Sequence, residues 1–388
     1  MHPEALLELR KFVAPEFIFG VGALTLAGRY AKNFGAQRAL VVTDPGVVEA
    51  GWVKKVVASL NAEGITPVVF QEVTQNPKDH EVTAGVRAYA ENACDIIIAV
   101  GGGSPMDCAK GIGIAFANNR NVLAFEGVDE VPIPGPPLIC IPTTAGTSAD
   151  VSQFAIITDT VSNVKIAIIS KTVVPDVALI DPETTTTMPA ELTAATGIDA
   201  LVHAIESYVS NASSPLTDLN ALAAIPRLVN TIKPAIEKPL DIHCRSNMMM
   251  GSLLAGLAFS NASLGLVHAM SHSLGGLLDL AHGMCNALLL EHVVDFNFES
   301  VPERYRQVGQ AMGLKLDGVG DAVSKKLLLN EIVRLRESTG ITMRIGEMGV
   351  KQTDLHQLAC NAYKDPCAAT NPRKASVEAI ERIFNNAL

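Results

Sequence analysis

Asp95-Ile-Ile-Ile-Ala-Val100-Gly101-Gly102-Gly103-Ser104-Pro105-Met106-Asp107 joins an unbroken apolar run to a glycine turn and a helix start. A run without polar alternation is what a parallel strand buried on both faces requires. Ser104 and Pro105 match the residue preferences of N-cap and N1, so a helix is predicted from there. Glycines at such a junction let backbone amides approach an anion, and a helix N-terminus favours negative charge, so a pyrophosphate fits. The spacing is not GxGxxG, and a tight strand-to-helix turn needs glycine on steric grounds alone. Both readings stand for GGGS taken by itself.

Working outward, strand and helix alternate. Arg38 to Thr43 is a short β-branched strand closed by Asp44-Pro45-Gly46. Val47 to Glu63 has helical periodicity with Gly64 as its stop. Pro67 to Phe70 reads as a strand and Asp79 to Asn92 as a helix, which makes a βαβ series. Leu138–Ile141, Phe154–Ile157, Lys165–Ile169 and Val177–Ile180 continue the strands, the middle pair as a hairpin. Composition changes at Pro182-Glu-Thr-Thr-Thr-Thr-Met-Pro189, beyond which long helical patterns cover Ala190–Ser210, Thr217–Ile236, Asn247–Phe259 and Leu264–Leu280. The expected organisation is an α/β domain over 1–182 and an all-helical domain over 183–388, consistent with a length beyond that of single cores.

The chain is 48% hydrophobic and 18% charged, which describes a compact protein with ample core. A formal net charge of -10 argues against nucleic acid or an anionic membrane surface as partner. Seven cysteines without a CxxC pair suit reduced thiols in a cytoplasm. The first residues, Met1-His-Pro-Glu-Ala-Leu-Leu-Glu-Leu-Arg10, mix acids and bases unlike a signal peptide, and no apolar run reaches membrane-spanning length.

Chemistry concentrates in the helical half. Asp199 and His203 are four apart among good helix formers, His268 and His272 repeat that spacing, and His282 follows just past the end of the second helix. A histidine on an apolar helix is ordinarily a satisfied core residue. A whole set with a carboxylate is better explained by a divalent metal, since neutral imidazole suits zinc, iron, nickel or copper. Asp199, His203, His268 and His282 are the candidate ligands, and no cysteine joins them at ligand spacing. In the first half, Ile141-Pro-Thr143-Thr144-Ala-Gly146-Thr147-Ser148 forms a hydroxyl-rich loop after the next buried strand. Ligands bind at the carboxyl ends of strands in open α/β sheets, so this loop and the glycine turn flank one nucleotide. Asp44 ends the first full strand, where a carboxylate could accept from ribose hydroxyls, although Asp-Pro-Gly is equally a turn signal.

GGGSPMDCAK, PTTAGTSAD, GIDALVHAIESYVS, GLVHAMSHSLGG, HGMCNALLL and DPCAATNPR, in this order, resemble the motifs of the iron-dependent (group III) alcohol dehydrogenase family over nearly the whole chain. The resemblance implies an N-terminal α/β dinucleotide domain and an all-helical C-terminal domain, with metal and substrate in the cleft between them. It implies NAD and Fe(II), with Zn(II) as the alternative metal, and Asp199, His203, His268 and His282 as ligands. His272 is implied as a non-ligand that contacts nicotinamide or relays a proton. Gly102, Gly103 and Ser104 would hold the pyrophosphate, Thr143, Thr144 and Thr147 the adenosine side, and Asp44 the ribose. Asn76, Lys165 and Leu179 match further cofactor positions. Gln153, Phe154, Phe259, Asn261 and Cys367 fall where members differ and are the candidates for lining the substrate pocket.

The implied reaction interconverts a small primary alcohol and its aldehyde by hydride transfer, the metal polarising the oxygen while NAD carries the electrons. A homodimer or higher oligomer is implied, and Phe12 to Phe19 reads as an edge strand for a partner to cover. A metal- and NAD-using lyase of the dehydroquinate synthase type shares the two-domain plan. It would call for three ligands and a strongly basic pocket, which these motifs do not contain. A non-catalytic nucleotide-binding protein leaves the metal set without a purpose.

Overall fold

The computed structural model describes residues 10–388. Among these residues nine strands are formed: β1 Glu16–Phe19, β2 Arg38–Val42, β3 Thr66–Phe70, β4 Ile96–Gly101, β5 Gly127–Val128, β6 Leu138–Pro142, β7 Phe154–Asp159, β8 Val164–Ile169 and β9 Val177–Ile180. Helices α1 Ala27–Asn33, α2 Pro45–Glu49, α3 Trp52–Ala62, α4 Asp79–Glu91 and α5 Gly103–Asn118 lie between them. The remainder is helical: α6 Ala190–Val209, α7 Pro215–Glu237, α8 Ile242–Ala262, α9 Leu266–Leu278, α10 His282–Asn297, α11 Pro302–Ala311, α12 Asp321–Ser338, α13 Leu355–Lys364 and α14 Val377–Ala387.

Six strands form a parallel sheet in the order β1-β9-β6-β4-β2-β3. The central position of β4 explains its composition. Ile96, Ile98 and Val100 face one layer, packing with Trp52, Val56 and Leu60 of α3. Ile97 and Ala99 face the other, with Val82 of α4 and Met106 and Ile112 of α5. A strand covered on both sides has no polar face to alternate with. Asp44, Gly102 and Thr143 follow the carboxyl ends of β2, β4 and β6, so three neighbouring strands deliver their loops to one side of the sheet.

Several expectations require correction. The helix expected over Val47–Glu63 is two helices, because Gly51 at φ 85° breaks the chain between α2 and α3. The β7–β8 pair is the expected antiparallel hairpin, but it does not continue the main sheet. It joins β5 in a separate three-stranded sheet. His282 lies just past the end of α9, as expected, and is the first residue of α10. β1 lies at an edge of the parallel sheet, paired only with β9 among the described strands, as an edge strand should.

In the helical half α6 is the axle. From Thr193 to Val209 every residue is buried, with α7, α8 and α10 packed around it. Asp199 and His203 are therefore carried inside the protein. No single described helix is long and apolar enough to cross a membrane.

Candidate metal and nucleotide site

One helical turn separates Asp199 from His203 on α6, and the His203 Nε2 stands 3.8 Å from Asp199 Oδ1. His268 on α9 and His282 on α10 bring their Nε2 atoms to 3.6 and 3.8 Å from the same oxygen. Asp199, His268 and His282 each offer an atom within 4.8 Å of the others. Separations of 3.6–3.8 Å from Asp199 Oδ1 are those of two ligands about 2.2–2.3 Å from a shared centre, slightly beyond the usual metal–nitrogen and metal–oxygen lengths, and His203 falls outside the mutual grouping of the other three. The donor set and spacing thus fit a divalent cation. His203 stands at the margin of the group, its ring stacked between His268 at 4.5 Å and Phe259 at 4.3 Å.

Glu206 aims His268. Its carboxylate accepts from the Gly265 and Val267 amides at 3.1 and 2.7 Å, fastening the start of α9, and its Oε2 lies 2.7 Å from His268 Nδ1. That contact turns Nε2 toward Asp199, the outer carboxylate role common around ligating histidines. Gly265 is required here, because a Cβ would lie 2.8 Å from Glu206 Oε1.

Burial disfavours charge on every group in this cluster, and the outcomes differ. It lowers His203 to about 4 and His282 well below the usual imidazole value. In His268 the Asp199 and Glu206 carboxylates overcome burial and push the imidazole up to about 9. Burial also opposes ionisation of Asp199, yet His203, His268 and His282 hold its carboxyl well below the usual range. The cation-free pocket thus draws positive charge between Asp199 and His268, which a proton or a metal could supply.

His272, one turn beyond His268, has its Nδ1 2.8 Å from Asp365 Oδ2 and its ring stacked on His282 at 5.2 Å. Asp365 also accepts from the Cys367 amide at 2.8 Å, so the loop after α13 holds the His272 ring in place.

These groups line one end of a cavity of about 1130 Å³ that runs to the carboxyl ends of the strands. Asp44, Asn76, Gly102, Gly103, Ser104, Thr143, Thr144, Thr147, Phe154, Lys165, Phe259 and His272 line it together with the four candidate ligands. Helix α5 begins earlier than expected: Gly102 is its N-cap, with no side-chain cap, and Pro105 is its third residue. The Gly103 and Ser104 amides are consequently left without side-chain partners at a helix N-terminus that lines the cavity. The steric reading of the turn also holds, since a Cβ on Gly101 would lie 2.6 Å from the Pro105 ring.

Asp44 caps α2, accepting from the Val47 amide at 3.0 Å while lining the cavity, so the turn reading is met and the ribose reading remains open. Asn76, at φ 55°, donates to Asp279 Oδ1 at 2.6 Å and accepts from Lys165 Nζ at 2.8 Å. Two candidate cofactor residues are thereby tied to the residue that ends α9.

Four expected residues do not line the cavity. Leu179 is fully buried in β9 against the α1 and α3 layer. Gln153 spends its amide on the Ser260 carbonyl. Asn261 holds the Val13 backbone at 2.6 and 3.0 Å. Cys367 is buried behind Asp365, within 4.8 Å of that carboxylate and of His272. Conversely Glu206, Asn286 and Asp365 were not singled out. Two had a signal: Glu206 is seven residues from Asp199 on the same face of α6, and Asn286 is four from His282 on α10. Asp365 opens the DPCAATNPR motif but had no spacing to tie it to His272, which it meets across 93 residues.

Comparison with known proteins agrees with this architecture. A family described as "Iron-containing alcohol dehydrogenase" matches residues 14–182, and "Fe-containing alcohol dehydrogenase family, C-terminal" matches residues 193–388. The chain is 41% identical over 371 residues to 1,3-propanediol dehydrogenase of Citrobacter freundii, covering 95% of this chain and 96% of that one. It is 38% identical over 378 residues to the NAD-dependent methanol dehydrogenase of Bacillus methanolicus, covering 97% and 99%. The crystal structure of a 1,3-propanediol oxidoreductase superposes with a TM-score of 0.95 at 38% identity, over 98% of this chain and all of that one. The chain therefore belongs to the iron-containing alcohol dehydrogenase family of oxidoreductases.

Proposed function

We propose that this enzyme interconverts a small primary alcohol and its aldehyde, with NAD bound along the cavity and a divalent metal held by Asp199, His203, His268 and His282. The observation that carries the proposal is a single one. A buried carboxylate with three imidazoles closes one end of a cavity whose other end presents the N-terminus of α5. Relatives acting on 1,3-propanediol and methanol support a short alcohol. Lys165 is the sole lysine or arginine lining the cavity among the described residues, which suits a neutral or singly charged substrate and not the polyanion of a dehydroquinate synthase-type lyase.

The metal is Fe(II) in the native state, with Zn(II) as the runner-up. No thiolate competes for it: burial pushes the nearby Cys285 up to about 12, so it is a neutral thiol. A site without sulfur, built from imidazole and one carboxylate, accommodates either ion, and zinc would displace iron at equilibrium.

When bound, the metal withdraws charge from the substrate oxygen and the nicotinamide exchanges the hydride. The chain supplies everything else. Gly102, Gly103 and Ser104 offer amides to the pyrophosphate, Thr143, Thr144 and Thr147 bound the adenosine side, and Asp44 faces the ribose. Asn76 and Lys165 lie where the cavity meets α9, on the way to the nicotinamide end. Phe154 and Phe259 exclude water around the reacting carbon, and their rings lie 5.7 Å apart. His272, held at Nδ1 by Asp365, presents Nε2 for moving the proton to or from the alcohol oxygen. We place the domain boundary at 182/183 and expect a cytoplasmic homodimer, with β1 at the interface.

The test is NADH formation from a panel of short primary alcohols, using chelator-stripped protein reloaded with ferrous iron or zinc. Activity should vanish on stripping and return with iron. Full activity in stripped protein, or recovery with zinc alone, would refute the assignment.

A further inference from the structure

Asn286 stands one turn after His282 on α10, fully buried, and reaches three of the proposed ligands at once. Its Nδ2 lies 2.6 Å from Asp199 Oδ1, 3.1 Å from His268 Nε2 and 3.2 Å from His282 Nε2. Its Oδ1 has no hydrogen-bond partner. An ionised carboxylate only accepts, so Asp199 decides which end of the amide faces the cluster. With both imidazoles neutral, two amide hydrogens then serve three acceptors, one on Asp199 and the other shared between the imidazoles. When the imidazoles are neutral, as metal ligation requires, the ligand atoms 3.6 and 3.8 Å from Asp199 Oδ1 aim lone pairs at one another, and the Asn286 amide is the donor set among them.

We infer that Asn286 is a positioning residue of the metal centre, whose amide nitrogen holds the Asp199 carboxylate and the His268 and His282 nitrogens converged on the cation site. The inference rests on the reading of Asp199, His268 and His282 as ligands. An imidazole nitrogen has one in-plane lone pair and cannot serve an N–H and a cation together, whereas a carboxylate oxygen has two. A bound cation would take the imidazole lone pairs in place of the amide, while Asp199 Oδ1, with two lone pairs, could keep its bond to Asn286. An unpartnered Oδ1 fits a side chain kept for its nitrogen alone, because a buried asparagine placed as a structural bridge uses both ends. Glu206 and Asn286 act on His268 from opposite nitrogens.

Two near-isosteric variants test this in the full-length protein. Asn286→Leu has no donors, and its affinity for ferrous iron or zinc, measured by chelator competition, should fall about 10–100-fold, the range typical of such outer partners. NADH binding, followed by fluorescence, should stay at the wild-type level. Asn286→Asp sets a second carboxylate against Asp199, so the metal-free protein should melt lower and gain more in Tm on metal addition than wild type does. It decides the matter should Asn286→Leu not fold. Wild-type metal affinity in Asn286→Leu, or a wild-type metal-induced rise in Tm in Asn286→Asp, overturns the inference. Asp199→Ala separates the two levels. If it binds metal as tightly as wild type, the ligand reading falls and takes the inference with it. If it binds weakly while Asn286→Leu binds normally, only the role of Asn286 is lost.

Discussion

The two ends of the cavity are built from different materials. The metal end is made mostly of buried, chargeable side chains: Asp199, His203, Glu206 and His268 are each at most 4% exposed, and of the candidate ligands only His282 is partly open. The nucleotide end is made of backbone amides, glycines and hydroxyls, with Gly102, Gly103, Ser104 and Asp44 all partly open to solvent. Charge taken out of water at the first end must be balanced within a few ångströms, so each side chain depends on the others. At the second end water can replace a lost contact. The comparison predicts steep, all-or-none losses from substitutions at the metal end and graded changes in cofactor binding at the other.

The largest effects are expected from His268→Ala and His282→Ala. Each removes an imidazole from the group around Asp199, and the purified protein should contain little metal and show no measurable turnover. Metal analysis beside an activity assay checks this. A variant that retained one metal per chain would mean that Asp199 and its neighbours are only a buried polar network.

His272 tests whether the two ends meet. It lies next to the metal group without belonging to its tightest part, and Asp365 holds its Nδ1. His272→Ala should keep its metal and lose about 10²–10⁴ in kcat, the usual contribution of general acid–base assistance. Asp365→Asn should lose less, with kcat falling and KM for NAD unchanged, since it frees the ring without removing it. Metal lost from His272→Ala would make His272 a ligand and merge it with its neighbours.

The same contrast governs how much could be read from the chain. Asp199/His203 and His268/His272 were legible because helical spacing converts sequence distance into a shared face. The buried strands were legible as apolar runs. Glu206 and Asn286 obey the same spacing, but a glutamate and an asparagine near histidines are too common to single out before a fold brings them together. Asp365 opens the DPCAATNPR motif, but its partner could not be read from spacing, since it reaches His272 only through the packing of α13 on α9. At the nucleotide end, periodicity passed over Gly51, whose left-handed conformation divides the expected helix. Leu179 matches a family cofactor position and Gln153 falls where members differ, but the first is spent on the sheet core and the second on the Ser260 carbonyl.

The smallest and most informative effect is expected at Asp44, where one carboxylate has two possible duties. As the cap of α2 it accepts from Val47, and as a cavity residue it would face the ribose hydroxyls of NAD and repel the 2′-phosphate of NADP. Two unit charges about 4 Å apart repel by roughly 4 kcal/mol at an effective dielectric near 20. Even a screened remainder of about 1.4 kcal/mol is tenfold in affinity, so the wild type should favour NAD by at least that factor. Asp44→Asn separates the duties, because asparagine caps a helix as well as aspartate and carries no charge. Its Tm should match wild type while the NAD preference shrinks toward parity. Asp44→Gly should shift the preference likewise and lower stability by a few tenths of a kcal/mol through the weaker cap. Full reversal is not expected. Arg38 sits at the opposite end of β2, bonded to the Asn92 carbonyl, and no arginine among the described residues lines the cavity to clamp a phosphate. Specificity constants for both cofactors on wild type and both variants decide it. A wild type that prefers NADP, or an Asp44→Asn variant with an unchanged ratio, leaves Asp44 as the cap of α2 and nothing more.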